Sequence, residues 1–115
     1  HVHAKDKEWE KTYGPGAAVS EKKLLTASDT PIASVTIRKI TVTGDLEGGG
    51  YHPHSHPNTE IVYVIRGKVE SHIEGIGNIE INEGDLLMVE GGIVHGGKVC
   101  SEEVEAISIQ IPAEK

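Results

Sequence analysis

Phenylalanine is absent from this chain of 115 residues, which holds one tryptophan, one methionine and one cysteine. With aromatics at 3%, any core has to be aliphatic, built from Ile, Val and Leu. The lone Cys100 excludes an intrachain disulfide and gives no support for an oxidising compartment, so the cytoplasm is the expected location. No apolar run exceeds Ile61-Val62-Tyr63-Val64-Ile65, far short of the ~20 residues of a spanning helix, so no membrane association is expected. Basic clusters are scarce too. Eleven Lys and Arg stand against eighteen Asp and Glu, the net charge is −7, and nothing exceeds Lys22-Lys23 or Arg38-Lys39. Such a field repels a polyanion, which argues against a nucleic-acid partner. No G-x-S-x-G setting for a nucleophilic serine is present. Gly75-Ile76-Gly77 lacks the lysine and following helix of a phosphate loop and reads as a hairpin turn.

What is abundant is glycine, at fourteen residues, together with β-branched runs. Residues 1–16 read as an N-terminal arm, extended or with one short helical turn around Trp9, ending in Gly14-Pro15-Gly16. The start at His1 rather than Met reads as a processed or engineered fragment, so His1 and His3 are set aside as ligands. From residue 17 to 115 the pattern predicts one domain of about eight short strands with regular turn signals, an all-β antiparallel sandwich or barrel. The predicted strands are Pro31 to Thr43, Glu60 to Arg66, Lys68 to Glu74, Ile79 to Asn82, Leu86 to Val89, the run to Cys100, and Val104 to Ile111. In the first of these the apolar positions shift from odd (Val35, Ile37) to even (Ile40, Val42), which predicts a bulge or burial on both faces. Gly48-Gly49-Gly50 breaks it.

Chemistry concentrates in Gly50-Tyr51-His52-Pro53-His54-Ser55-His56-Pro57-Asn58-Thr59-Glu60. Three histidines at i, i+2 and i+4 share one face of an extended chain, and the Glu60 carboxylate joins them at another even position. Neutral imidazoles with a carboxylate are a ligand set for Zn, Fe, Mn or Ni. A solvated polar strand entering a turn would use the same residues.

Downstream spacing separates these readings. Gly48, His54, His56, Glu60 and Gly67 read G-x5-H-x-H-x3-E-x6-G, and sixteen residues separate Gly67 from Gly84, which opens a second segment through Gly92 to His95. The sequence here resembles the cupin superfamily: the first motif matches in full, and the second matches at Gly84, Gly92 and His95. It departs at Glu90, where proline is usual, and at Val99, where asparagine is usual. The resemblance implies a cupin-type jelly-roll β-barrel of short antiparallel strands, with His54, His56, Glu60 and His95 directed inward around a divalent transition metal (Fe, Mn, Zn or Ni). Four such ligands close a tetrahedral zinc site, whereas six-coordinate Fe or Mn keeps two positions open. The implied function is a metalloenzyme of dioxygenase, isomerase, decarboxylase or lyase type acting on a small carboxylate, enol or sugar derivative. In it Glu60 is a ligand that also serves as catalytic base. The alternative is a non-catalytic binding or sensor domain for a sugar-like molecule, with a structural metal.

Other residues read as structural. His72 belongs to an outward row with Glu70 and Glu74, opposite an inward Val69, Ser71 and Ile73. Tyr63 points out of the barrel, towards a dimer partner. Met88 reads as core filler, Cys100 as a buried inert thiol, and His52 as a candidate for the pocket mouth. On the last strand Val104, Ala106, Ser108 and Gln110 share one face, where Ser108 and Gln110 could hydrogen-bond a ligand. Because Val104 to Ile111 looks like an exposed Ile-rich strand in need of cover, a homodimer is expected.

Overall fold

Alternation of small aliphatic and polar residues, punctuated by glycine, produces a wholly antiparallel arrangement. The computed structural model describes residues 1–14, 17–42 and 54–113. Within them the strands are β1 (Glu10–Gly14), β2 (Ala17–Leu25), β3 (Ser34–Val42), β4 (Thr59–Arg66), β5 (Lys68–Ile73), β6 (Gly77–Asn82), β7 (Leu86–Val89), β8 (His95–Val99) and β9 (Glu103–Ile111). They form a six-stranded sheet in the order β1-β2-β3-β9-β4-β7 and a three-stranded sheet in the order β6-β5-β8. This is the jelly-roll arrangement the resemblance implied. The His52 side chain, the Gly48-Gly49-Gly50 break and the Pro15-Gly16 turn lie outside the described residues. No helix among the described residues is long and apolar enough to cross a membrane.

The N-terminal arm contributes a 3-10 turn at Ala4–Asp6, ahead of Trp9 rather than around it, and then β1, which pairs with β2. The bulge anticipated in β3 lies instead on its neighbour. β3 keeps an unbroken register with β9, while β2 slips against β3 between Lys23 and Leu25. The phase change in β3 reflects its two faces: Arg38 and Ile40 line the interior cavity, and Val35 and Ile37 lie on the opposite side.

Parity elsewhere follows the sequence pattern. Val64 is fully buried, and Ile73, Ile81, Val89 and Val104 are nearly so, filling the space between the sheets. Ser71 and Ile73 are buried while His72 is exposed, its Nδ1 2.6 Å from Asn78 Oδ1. Tyr63 is outside, as expected. Two expectations change. Met88 is exposed on the outer side rather than filling the core, because β7 turns its odd positions, Leu87 and Val89, inward. And β9 is no edge: it is hydrogen-bonded to β3 on one side and β4 on the other. Cys100 is half-buried rather than buried.

The chain crosses between sheets at Gly67, where φ is +93° and a Cβ would meet the Glu103 carbonyl oxygen at 2.3 Å. Only glycine satisfies both the left-handed backbone and that approach.

Candidate metal centre

Two distant segments meet through their backbones before their side chains do. His54 and His95 form an antiparallel bridge, each N–H donating to the other's carbonyl at 2.9 Å. Directly opposed residues of such a pair project to the same side. The ring centroids of His54 and His95 are consequently 4.6 Å apart, and His56, two positions along, brings its ring to 4.9 Å from that of His95. The ligand atoms of His54, His56 and His95 all lie within 4.8 Å of one another. The structure thus positions these three imidazoles to bind a metal.

A second backbone clamp holds the loop after His56. Gly92 N–H donates to the His56 carbonyl at 2.8 Å, and Gly91 N–H donates to Thr59 Oγ1 at 3.2 Å. A Cβ on Gly91 would sit 2.1 Å from the Pro57 carbonyl oxygen, so this contact requires glycine. Gly91 is therefore a site-building residue that motif matching alone did not single out.

Hydrogen bonding fixes which nitrogens face the centre. His56 Nδ1–H donates to the Asn58 carbonyl and His95 Nδ1–H to the Ile93 carbonyl, each at 2.9 Å. A carbonyl oxygen only accepts, so the proton of each neutral ring is on Nδ1 and the lone pair is on Nε2. Both Nε2 atoms are buried and have no hydrogen-bond partner. Buried nitrogen lone pairs without partners are costly unless something positive lies beside them. A divalent cation fits this donor set, and the Nδ1–H contacts to carbonyls are the outer support that metal-binding imidazoles commonly have.

Glu60 enters from β4, on the inward face with Val62 and Val64. Its Oε1 is 3.8 Å from His95 Nε2, beyond hydrogen-bond range. Its Oε2 accepts from Ser108 Oγ at 3.1 Å and from Gln110 Nε2 at 2.5 Å. The two inward polar residues of β9 thus engage this carboxylate. The register Glu60↔Gln110 and Val62↔Ser108 places them beside it.

The histidines open onto a cavity of about 380 Å³ between the sheets. Its walls are aliphatic (Val62, Val64, Val69 and Ile73 among them), with Ser71 and Arg38 as further polar lining. That volume suits a small molecule.

Residues 43–110, more than half of the chain, match the family model described as "Cupin domain". No curated protein matches the chain. Among solved structures, a predicted oxalate decarboxylase from Thermotoga maritima superposes with a TM-score of 0.76 at 20% identity, covering 97% of this chain and 98% of that one. KdgF from Halomonas sp. gives 0.75 at 21% identity, covering 98% and 94%. An RmlC-like cupin from Shewanella frigidimarina gives 0.71 at 20% identity, covering 98% and 90%. At these identities the likeness is one of fold.

Proposed function

The chain belongs to the cupin family, and from that premise we propose that it is a metalloenzyme acting on a small oxygen-bearing molecule such as a carboxylate, enol or sugar derivative. The observation that carries this reading is the pair of buried, partnerless Nε2 lone pairs of His56 and His95 beside His54. A bound divalent metal would supply Lewis acidity, and redox chemistry if it is iron or manganese.

The chain's own residues divide the remaining work. His54, His56 and His95 hold the cation, and Glu60 Oε1 is the fourth donor. Ser108 and Gln110 fix Glu60 by Oε2, leaving Oε1 as the atom that ligates or takes a proton from the substrate. The aliphatic walls strip water from the substrate and strengthen the electrostatics at the centre. The adjoining cavity favours an open site over a saturated structural one, because a closed four-ligand centre has no use for about 380 Å³ of lined space.

The test is to load the protein separately with Mn(II), Fe(II) and Zn(II) and assay a panel of small carboxylates and enediols under air and under anoxia. Turnover that is lost on chelation and in Glu60→Gln supports the proposal. Ligand binding without turnover under every metal would favour the binding-domain alternative.

A further inference from the structure

One basic side chain stands on the wall of the cavity beside the histidines. Arg38 of β3 is the only Lys or Arg among the described residues that line that space. Its cross-strand neighbours are Glu21 on β2 and Ala106 on β9, with Val64 beyond Ala106 on β4. Ala106 is small, and neither it nor Val64 offers the guanidinium a polar partner. The Arg38 Nε–H donates to Glu21 Oε1 at 3.3 Å. That contact uses one of five N–H donors and fixes the plane of the group. No other hydrogen bond to this guanidinium exists among the described residues, so the Nη1 and Nη2 edge remains as a fork. At 42% exposure the side chain is within reach of a solute.

Strand register sets how far this fork lies from the candidate metal centre. Arg38 pairs with Ala106, whereas Glu60 pairs with Gln110, four residues along β9 and on its opposite flank. At about 3.4 Å per residue and about 4.8 Å per strand, the two backbone positions are roughly 17 Å apart. Two long side chains reaching inward close part of that distance, and the remainder is the length of several carbon–carbon bonds.

Resting on the metalloenzyme reading above, we propose that Arg38 is a specificity-determining residue that binds a carboxylate at the substrate end remote from the cation. The substrate class is then an acid of about four to six carbons, with oxygen donors at one end and a free carboxylate at the other. A two-carbon acid is too short to touch both ends. The planar fork of a guanidinium matches the two oxygens of a carboxylate, and aliphatic surroundings strengthen the attraction. A phosphate monoester is disfavoured, because Glu21 lies against the same guanidinium and opposes a second negative charge.

Calorimetric titration of the Zn(II)-loaded protein with matched acids tests the assignment. The pairs are α-hydroxyglutarate with α-hydroxyvalerate and α-hydroxyadipate with α-hydroxycaproate, whose members differ in the distal carboxylate alone. The native protein should bind the better dicarboxylate at least about 10-fold more tightly than its partner. Arg38→Met should erase that preference while zinc content and affinity for the monocarboxylates are retained, and Arg38→Lys should keep part of it. If Arg38→Met fails to fold because Glu21 has lost its partner, Arg38→Met combined with Glu21→Gln removes both charges and gives the same measurement. A native protein without the preference, or one that binds neither member of either pair, would overturn the proposal. So would a folded Arg38→Met protein that keeps the full preference or loses affinity for both members alike. Chelation tests the metalloenzyme reading separately. An Arg38-dependent preference that survives removal of zinc supports the carboxylate site and removes the cation from ligand binding. Zinc-dependent binding that is equal for both members does the reverse.

Discussion

The two faces of the six-stranded sheet differ in where they place polar groups. The inward face carries Glu60, Ser108, Gln110 and Arg38, whereas the outward face of β3, β9, β4 and β7 carries two rows of aliphatic and aromatic side chains. Burying polar groups costs free energy unless each finds a partner, and here Glu60 finds two on β9. Among the described residues, the buried side-chain atoms left without a partner are the Nε2 atoms of His56 and His95. The inner face offers lone pairs that a cation would satisfy, and the outer one exposes Leu86, Met88 and Tyr63.

Breaking the inner face should have the largest effect. His56→Ala and His95→Ala should each abolish stoichiometric metal binding, measured by elemental analysis of desalted protein. Each removes one of the three imidazoles clustered among the described residues. Acidification should release metal in the same way, because ligating imidazoles must be neutral.

The corner joining the two sheets comes next. Gly67→Ala should lower stability by about 3 kcal/mol, since positive φ and a clash with the Glu103 carbonyl act together. Gly75→Ala, also at positive φ but in open space, should cost about 1 kcal/mol. Chemical denaturation of both variants reads the difference, and equal losses would show that the close approach at Gly67 carries no cost.

A subtler probe of the inner face is Ser108→Ala. Removing one of the two donors to Glu60 should weaken metal affinity by about 10-fold, at the low end of what outer-shell changes cost. Competition with a chelator of known affinity would measure it. An unchanged affinity would separate Glu60 from the metal.

The smallest effect expected lies far from both faces. Thr26 N–H donates to Asp29 Oδ2 at 2.9 Å and holds that carboxyl below its usual 3.8. A depressed folded value means that the contribution is present above 3.8 and is lost as pH falls through the lower folded value. Asp29→Asn should therefore flatten the acid limb of the stability curve slightly and leave neutral pH almost unchanged, because the group is exposed.

Much of this was legible in the sequence for physical reasons. Strict period-two alternation made the faces of β5 and β9 readable, since a one-residue slip would have reversed every side chain. The x-H-x-H spacing likewise placed His54 and His56 on one side. Less legible was anything set by the pairing of distant strands. The contacts of Glu60 to Ser108 and Gln110 span 48 and 50 residues, and only the β4–β9 register creates them. Met88 looked like core because a four-residue apolar strand shows no alternation to tell its faces apart. The interior position of β9 was hidden for the same reason as its contacts, since sheet order is not written in local pattern.

Anomalous X-ray scattering from crystals of metal-loaded protein would locate the cation relative to the three imidazoles. One strong peak is expected within coordination distance, roughly 2.0–2.3 Å, of nitrogens from His54, His56 and His95. A loaded protein whose only peak lies elsewhere, with those three rings unliganded, would contradict it.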